Sequence, residues 1–119
     1  GGDVFSGLNI CDTIDRCKTD VYTYVEGSAA SAATLIASRG KKRYITKRSF
    51  MLVHQPQIFW AGKHDEFIDE IQKNIFETVK KVYLETSNIK EEELEELLRH
   101  ELWLPSEKCL EMGLVDAII

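Results

Sequence analysis

The sequence predicts an α/β domain, and three observations carry that reading. Helix and strand signals alternate along 119 residues, a length that suits one domain. Hydrophobic residues make up 44% of the chain and charged residues 29%, which is the balance of a globular protein and neither a disordered nor a fibrous one. Two amphipathic helical stripes bracket short runs rich in β-branched and aromatic residues.

Taken in order, Val4, Phe5, Leu8, Ile10, Cys11 and Ile14 recur at three- and four-residue steps and predict a first helix ending near Cys17. Residues 20–25 (Asp-Val-Tyr-Thr-Tyr-Val) are too short for a stable helix and are bounded by Gly27, which predicts a strand. The small residues from Ser28 to Ser38 predict a buried helix closed by Gly40. Arg43–Thr46 and Phe50–Val53 read as strands around the polar turn Lys47-Arg48-Ser49. Pro56 cannot donate to a ladder and pushes its predecessor out of helical geometry, so the second strand ends near it and leaves His54 at a strand terminus.

The longest stripe, Phe67, Ile68, Ile71, Ile75, Val79, Val82 and Tyr83, predicts a helix over Asp65–Glu85, too long to be covered by so small a core, so that part of it is expected to meet another subunit. Ser87-Asn88 reads as the cap of a helix with Glu91 to Glu93 in its first turn and Leu94, Leu97 and Leu98 on its buried face. Pro105-Ser106 starts a short helix, Gly113 ends it, and Leu114–Ile119 finishes as a strand. The acidic run from Glu91 to Glu96 reads as a solvated face.

Fifteen Lys and Arg against twenty Asp and Glu give a net charge of −5, which disfavours nucleic acid because that partner is bound by neutralising phosphates. No apolar run reaches the length of a membrane span, and the first residues carry no signal-peptide pattern. Cys11, Cys17 and Cys109 lack the spacing of paired zinc ligands and read as reduced, partly buried small residues.

Two residues invite chemistry. Ser31 follows a strand and a tight turn at a helix start, where a hydroxyl is lifted from the backbone and free N–H groups can hold an oxyanion. Read locally, Ser31 is better explained as a small residue in a close helix contact, and the Gly-x-Ser-x-Gly elbow is absent. His54 is either a hydrogen-bonded structural residue or the base for a serine. His64 and His100 read as solvated.

Four stretches taken together are more specific than any one of them: Gly1-Gly2 with Gly7-Leu8-Asn9-Ile10-Cys11-Asp12-Thr13, then Gly27-Ser28-Ala29-Ala30-Ser31, Met51-Leu52-Val53-His54-Gln55-Pro56, and Glu111-Met112-Gly113-Leu114-Val115-Asp116. In them the chain resembles the ClpP family, the proteolytic subunits of ATP-dependent Clp proteases, over essentially its whole length. The resemblance implies a ClpP/crotonase-like fold of stacked β-β-α units with a protruding handle helix, here Asp65–Glu85. It implies an ATP-dependent serine endopeptidase acting on unfolded polypeptides, with Ser31 as nucleophile and His54 as general base. It also implies an oxyanion hole from the N–H groups of Gly2 and Ala32, and an extended peptide lying between Asp3-Val4 and Gln57-Ile58 as an added strand.

Counting back from Gly113-Leu114-Val115-Asp116 puts the family's third triad member, an aspartate, at Glu101, and His100 replaces the preceding arginine. A glutamate can orient a histidine, but a misaligned third carboxylate costs about 10⁴-fold in turnover. Bulky Gln57-Ile58-Phe59-Trp60 stands where the family is glycine-rich. The resemblance further implies homo- or hetero-oligomeric stacked rings, an AAA+ Clp-type unfoldase partner, no cofactor in the peptidase, and a cytoplasmic location, or an organelle matrix or stroma in a eukaryote. The chain reads as one peptidase domain over 1–119 without the family's N-terminal region. A catalytically weak or inactive structural subunit of a mixed ring is the alternative, and an acyl-CoA enzyme of the crotonase type a third reading.

Overall fold

The computed structural model describes residues 1–56 and 66–119, and the described residues form five helices and six strands. In chain order these are α1 (Val4–Arg16), β1 (Tyr22–Val25), β2 (Ser28–Ala30), α2 (Ala32–Ser38), β3 (Lys42–Ile45), β4 (Phe50–Leu52), α3 (Glu66–Thr86), α4 (Glu91–Arg99), β5 (Trp103–Pro105), α5 (Ser106–Glu111) and β6 (Ala117–Ile118). Strands β1, β3 and β6 make one parallel sheet. In the other sheet β4 lies between β2, which is parallel to it, and β5, which is antiparallel. The chain deals one strand to each sheet and then a helix, β1-β2-α2 followed by β3-β4-α3, which is the stacked β-β-α arrangement expected from the resemblance.

Three sequence expectations are corrected. Ser28–Ala30 is strand, not the first turn of a helix: it pairs in register with Phe50–Leu52, and those ladder bonds outweigh the modest helix preference of alanine. The helix after Ser87-Asn88 starts at Glu91 with Lys90 at its cap, while the Asn88 N–H is taken by the Met112 carbonyl at 2.9 Å. Trp103–Pro105 forms an edge strand where none was predicted, because three residues ending in proline give no alternation to read.

The core gathers Val25, Leu35, Ile45 and Met51 from the strands and α2 and Val53 just after β4, with Ile75, Val79 and Tyr83 of α3 and Leu94, Leu97 and Leu98 of α4 laid over them. Among the described residues of α3, no large apolar side chain is exposed, so this chain covers more of the stripe than the sequence suggested. Among the described residues, the exposed large apolar side chains are Phe5, Ile10, Tyr22, Tyr24, Phe50, Leu102, Trp103, Leu110 and Ile119. Cys11 and Cys109 are buried free thiols and Cys17 is an exposed one. Burial pushes the Cys109 thiol up to about 11, which makes it inert rather than nucleophilic. No described helix is long and apolar enough to cross a membrane.

Charges tie the layers together. Arg39 of the α2 C-terminus bridges Asp15 of α1 and Glu85 of α3. The Lys80 ammonium, nearly covered, is held by Glu77, Glu91 and Glu95, so part of the acidic run binds α3 and is not merely solvated. The carboxylates of Glu91 and then Glu95 push the Lys80 ammonium above its ordinary range.

Gly113 closes α5 with φ 73°, and a Cβ there would sit 2.8 to 2.9 Å from the side chain and backbone of Asn88. Gly113→Ala is therefore expected to cost about 2–3 kcal/mol, from left-handed strain and the clash together. Urea unfolding reads this as a lower midpoint at unchanged slope, and a shift below about 0.5 kcal/mol would contradict it.

Candidate active site

Ser31 follows β2 directly, and β2 is parallel to β4, whose chain continues to His54. Both residues therefore emerge at the carboxyl ends of neighbouring parallel strands, where open α/β sheets place their sites. Ser31 has φ 56° and ψ −121°, the conformation of the first central residue of a type II′ turn, usually reserved for glycine. It is the one non-glycine residue with positive φ among the described residues. Such a bend turns the side chain out of the chain path between strand and helix, as a nucleophile requires. The Ser31 hydroxyl makes no capping bond to α2.

Backbone bonds fix both residues. The Ser31 N–H donates to the Leu52 carbonyl at 2.9 Å, and the Gln55 N–H donates to the Leu98 carbonyl at 2.8 Å, so His54 is gripped on either side. Ser31 and His54 line one narrow pocket with Val4, Ala32, Leu35, Pro56, Val79 and Tyr83. No direct hydrogen bond joins their side chains among the described residues; the structure brings them to one pocket without closing the pair, as often holds before a substrate is bound.

The glycine pair reaches the same place. A Cβ on Gly1 would lie 2.9 Å from the Ala30 carbonyl oxygen and 3.5 Å from the Ser31 Cβ, so only glycine lets the segment approach this closely. The face of Gly2 is open, with nothing within 4 Å of where a Cβ would project. Ala32 is the first residue of α2, where an N–H has no acceptor within the helix. Asp3 caps α1 by accepting from the Ser6 N–H and hydroxyl, and these bonds, the hydroxyl's first, hold its carboxyl below the ordinary range. Val4 opens α1, so backbone available to an added strand ends at Asp3. Gln57 and Ile58, the opposite wall in the expectation, lie outside the described residues, as do Phe59, Trp60 and His64.

Glu101 is exposed between α4 and β5. The antiparallel ladder of β4 with β5 ends at Leu52 and Trp103, two residues short of His54 on one strand and of Glu101 on the other. No hydrogen bond joins those side chains among the described residues. His100, at the end of α4, instead bonds Glu96 at 2.8 Å.

One part of the site escaped the sequence. Buried Thr34 donates its hydroxyl to the Ser31 carbonyl at 2.6 Å and also bonds the hydroxyl of buried Tyr83. Burial raises the Tyr83 phenol far above its ordinary value, so it is a neutral donor. The two side chains are 49 residues apart, and no local pattern could have joined them.

Comparison with known proteins gives a consistent result. The family model described as Clp protease matches residues 1–119. An ATP-dependent Clp protease proteolytic subunit of Streptococcus sanguinis (strain SK36) is 34% identical over 126 residues, covering 100% of this chain and 64% of its own length. The subunit of the same description in Lactococcus lactis subsp. cremoris (strain SK11) is 33% identical, again over the whole chain and 63% of its own length. ATP-dependent Clp protease proteolytic subunit 3, chloroplastic, of Arabidopsis thaliana is 34% identical over 123 residues, 40% of its length. The chain thus spans less than two thirds of the length of these curated relatives.

Proposed function

Because the chain belongs to the Clp protease family, we propose that it is a serine-type endopeptidase subunit, with Ser31 as nucleophile and His54 as general base. The observation that carries this reading is the left-handed bend at Ser31, opening into a pocket that His54 also lines. His54 takes the hydroxyl proton as Ser31 Oγ attacks the scissile carbonyl, and the Gly2 and Ala32 N–H groups receive the oxyanion. The tetrahedral intermediate collapses to an acyl-enzyme as the same proton passes to the leaving amine. Water then attacks the ester and gives a proton to His54, and the acyl–Oγ bond breaks as His54 passes that proton to Ser31 Oγ, restoring the free serine and releasing a carboxylic acid.

Glu101 fills the third position, orienting the His54 ring and stabilising imidazolium once substrate draws the segments together. The substrates are unfolded polypeptides delivered by an AAA+ Clp-type ATPase to stacked rings, and the exposed Tyr22, Tyr24, Phe50 and Trp103 are surface for neighbouring chains. The site is in a water-accessible compartment, the cytoplasm or an organelle interior.

Labelling by a fluorophosphonate, in full-length assembled protein, tests the reading. An adduct on Ser31, located by peptide mapping, is the expected result; a sample that assembles yet never labels would refute catalysis. One observation favours a second reading, a structural subunit of a mixed ring: the exposed Glu101 makes no bond to His54. Native mass spectrometry separates the two, since a peptidase assembles by itself and a structural subunit needs a partner chain.

A further inference from the structure

We propose that Tyr83 of α3, acting through Thr34, is a positioning residue that holds the Ser31 peptide unit in its left-handed conformation. The inference rests on the serine-peptidase reading and names what keeps its nucleophile in place.

A non-glycine residue stays at φ 56° only where its surroundings over-determine it. Three hydrogen bonds do so here. One is the Ser31 N–H to the Leu52 carbonyl. The other two both end on the Ser31 carbonyl and both come from Thr34: its N–H at 2.9 Å and its hydroxyl at 2.6 Å. Thr34 has a single hydroxyl proton and has committed it to that carbonyl, so in the Thr34–Tyr83 bond Tyr83 must be the donor. The order is therefore Tyr83 hydroxyl to Thr34 oxygen, Thr34 hydroxyl to Ser31 carbonyl, a series in which each bond polarises the next.

Solvent cannot take over either role, because Thr34 is 0% and Tyr83 1% exposed. With Tyr83 reduced to its ring, the Thr34 hydroxyl loses its donor and is no longer held in the rotamer that reaches Ser31. The Tyr83 ring also borders the pocket shared by Ser31 and His54, so its place in α3 bears on both the backbone and the cavity beside it. Small misplacements matter at such a site: about 1 Å at a nucleophile costs on the order of a hundredfold in rate.

The test is the second-order rate of Ser31 acylation by a fluorophosphonate, measured on the full-length assembled fraction of wild type, Tyr83→Phe, Thr34→Val, Thr34→Ser and the Tyr83→Phe/Thr34→Val double variant. Tyr83→Phe and Thr34→Val are each expected to slow acylation about tenfold or more, with the double variant no slower than the worse single one. Thr34→Ser keeps the hydroxyl and is expected to stay within about twofold of wild type. A purely structural role would lower melting temperatures and leave acylation rates alone, which would overturn the proposal; so would a Thr34→Ser variant as slow as Thr34→Val. Tyr83→Phe keeps the ring and carries the test by itself if Thr34→Val does not fold. Wild type that labels, with variants labelling equally fast, overturns this inference only; wild type that never labels overturns the peptidase reading with it.

Discussion

Replacing Ser31 by glycine is expected to abolish peptide hydrolysis and to stabilise the fold in the same step. Loss of the nucleophile costs on the order of 10⁴-fold or more in turnover, because the base and the oxyanion donors have nothing left to activate. The stability gain has a separate origin. At φ 56° and ψ −121° a side-chain-bearing residue carries strain of about 1–3 kcal/mol. Glycine removes it and gives back about 0.5–1 kcal/mol through its more flexible unfolded chain. The net, about 1 kcal/mol, raises the melting temperature by roughly 3 °C.

Ser31→Ala is the control. It removes the hydroxyl and retains the Cβ, so it is expected to be as inactive as the glycine variant and within about 0.5 kcal/mol of wild type in stability. Thermal unfolding and peptide hydrolysis on the three proteins read both halves. A glycine variant less stable than the alanine variant would show that the bend stores no strain. Hydrolysis that survives either substitution would end the assignment of Ser31.

The second large effect is on stability, at Arg43 of β3. Its guanidinium bonds both carboxylate oxygens of Asp116 at 3.2 and 2.8 Å and the carbonyls of Thr86 and Gly113 at 2.9 Å. The Asp116 carboxylate accepts the Arg43 N–H, and the Asp116 N–H returns a bond to the Arg43 carbonyl at 2.7 Å. One side chain thus joins β3, the end of α3 and the turn before β6. Arg43→Met takes the guanidinium donors from two carbonyls and leaves the Asp116 carboxylate only the backbone N–H of residue 43, and is expected to cost about 3 kcal/mol.

The pH dependence follows from the same contact. The Arg43 side chain, followed by its backbone N–H, holds the Asp116 carboxyl below its ordinary value near 3.8, so the folded state binds this proton more weakly than the unfolded one. The stabilisation is present above about pH 4 and is lost as pH falls below it through the folded-state value. In Arg43→Met that part of the acid limb should flatten. Urea titrations between about pH 2 and 7 check it: a wild-type minus variant gap that stays constant down to the lowest pH would separate Asp116 from the effect.

What each level of description supplied differs by the range of the forces involved. Helices α1 and α3 were legible because apolar residues at helical spacing record which face is buried, and that record is local. Strands β1, β3 and β4 were legible from β-branched and aromatic runs. Ser28–Ala30 was not, since three small residues prefer helix by themselves and become strand only through the ladder with Phe50–Leu52. The edge strand at Trp103–Pro105 and the Lys90 cap of α4 are decided by their neighbours in the same way.

For the site, the chain by itself determined the residue types, a serine after a tight turn, a histidine before a proline and a glycine pair at the start, and their resemblance to one family. Only the tertiary structure decided that Ser31 adopts glycine's backbone conformation, that Gly1 packs against its strand, and that Tyr83 reaches it through Thr34. The reason is that hydrogen bonds between residues far apart in sequence leave no periodicity behind. Thr34 and Tyr83 look like ordinary core residues until folding removes the water that would otherwise have satisfied them.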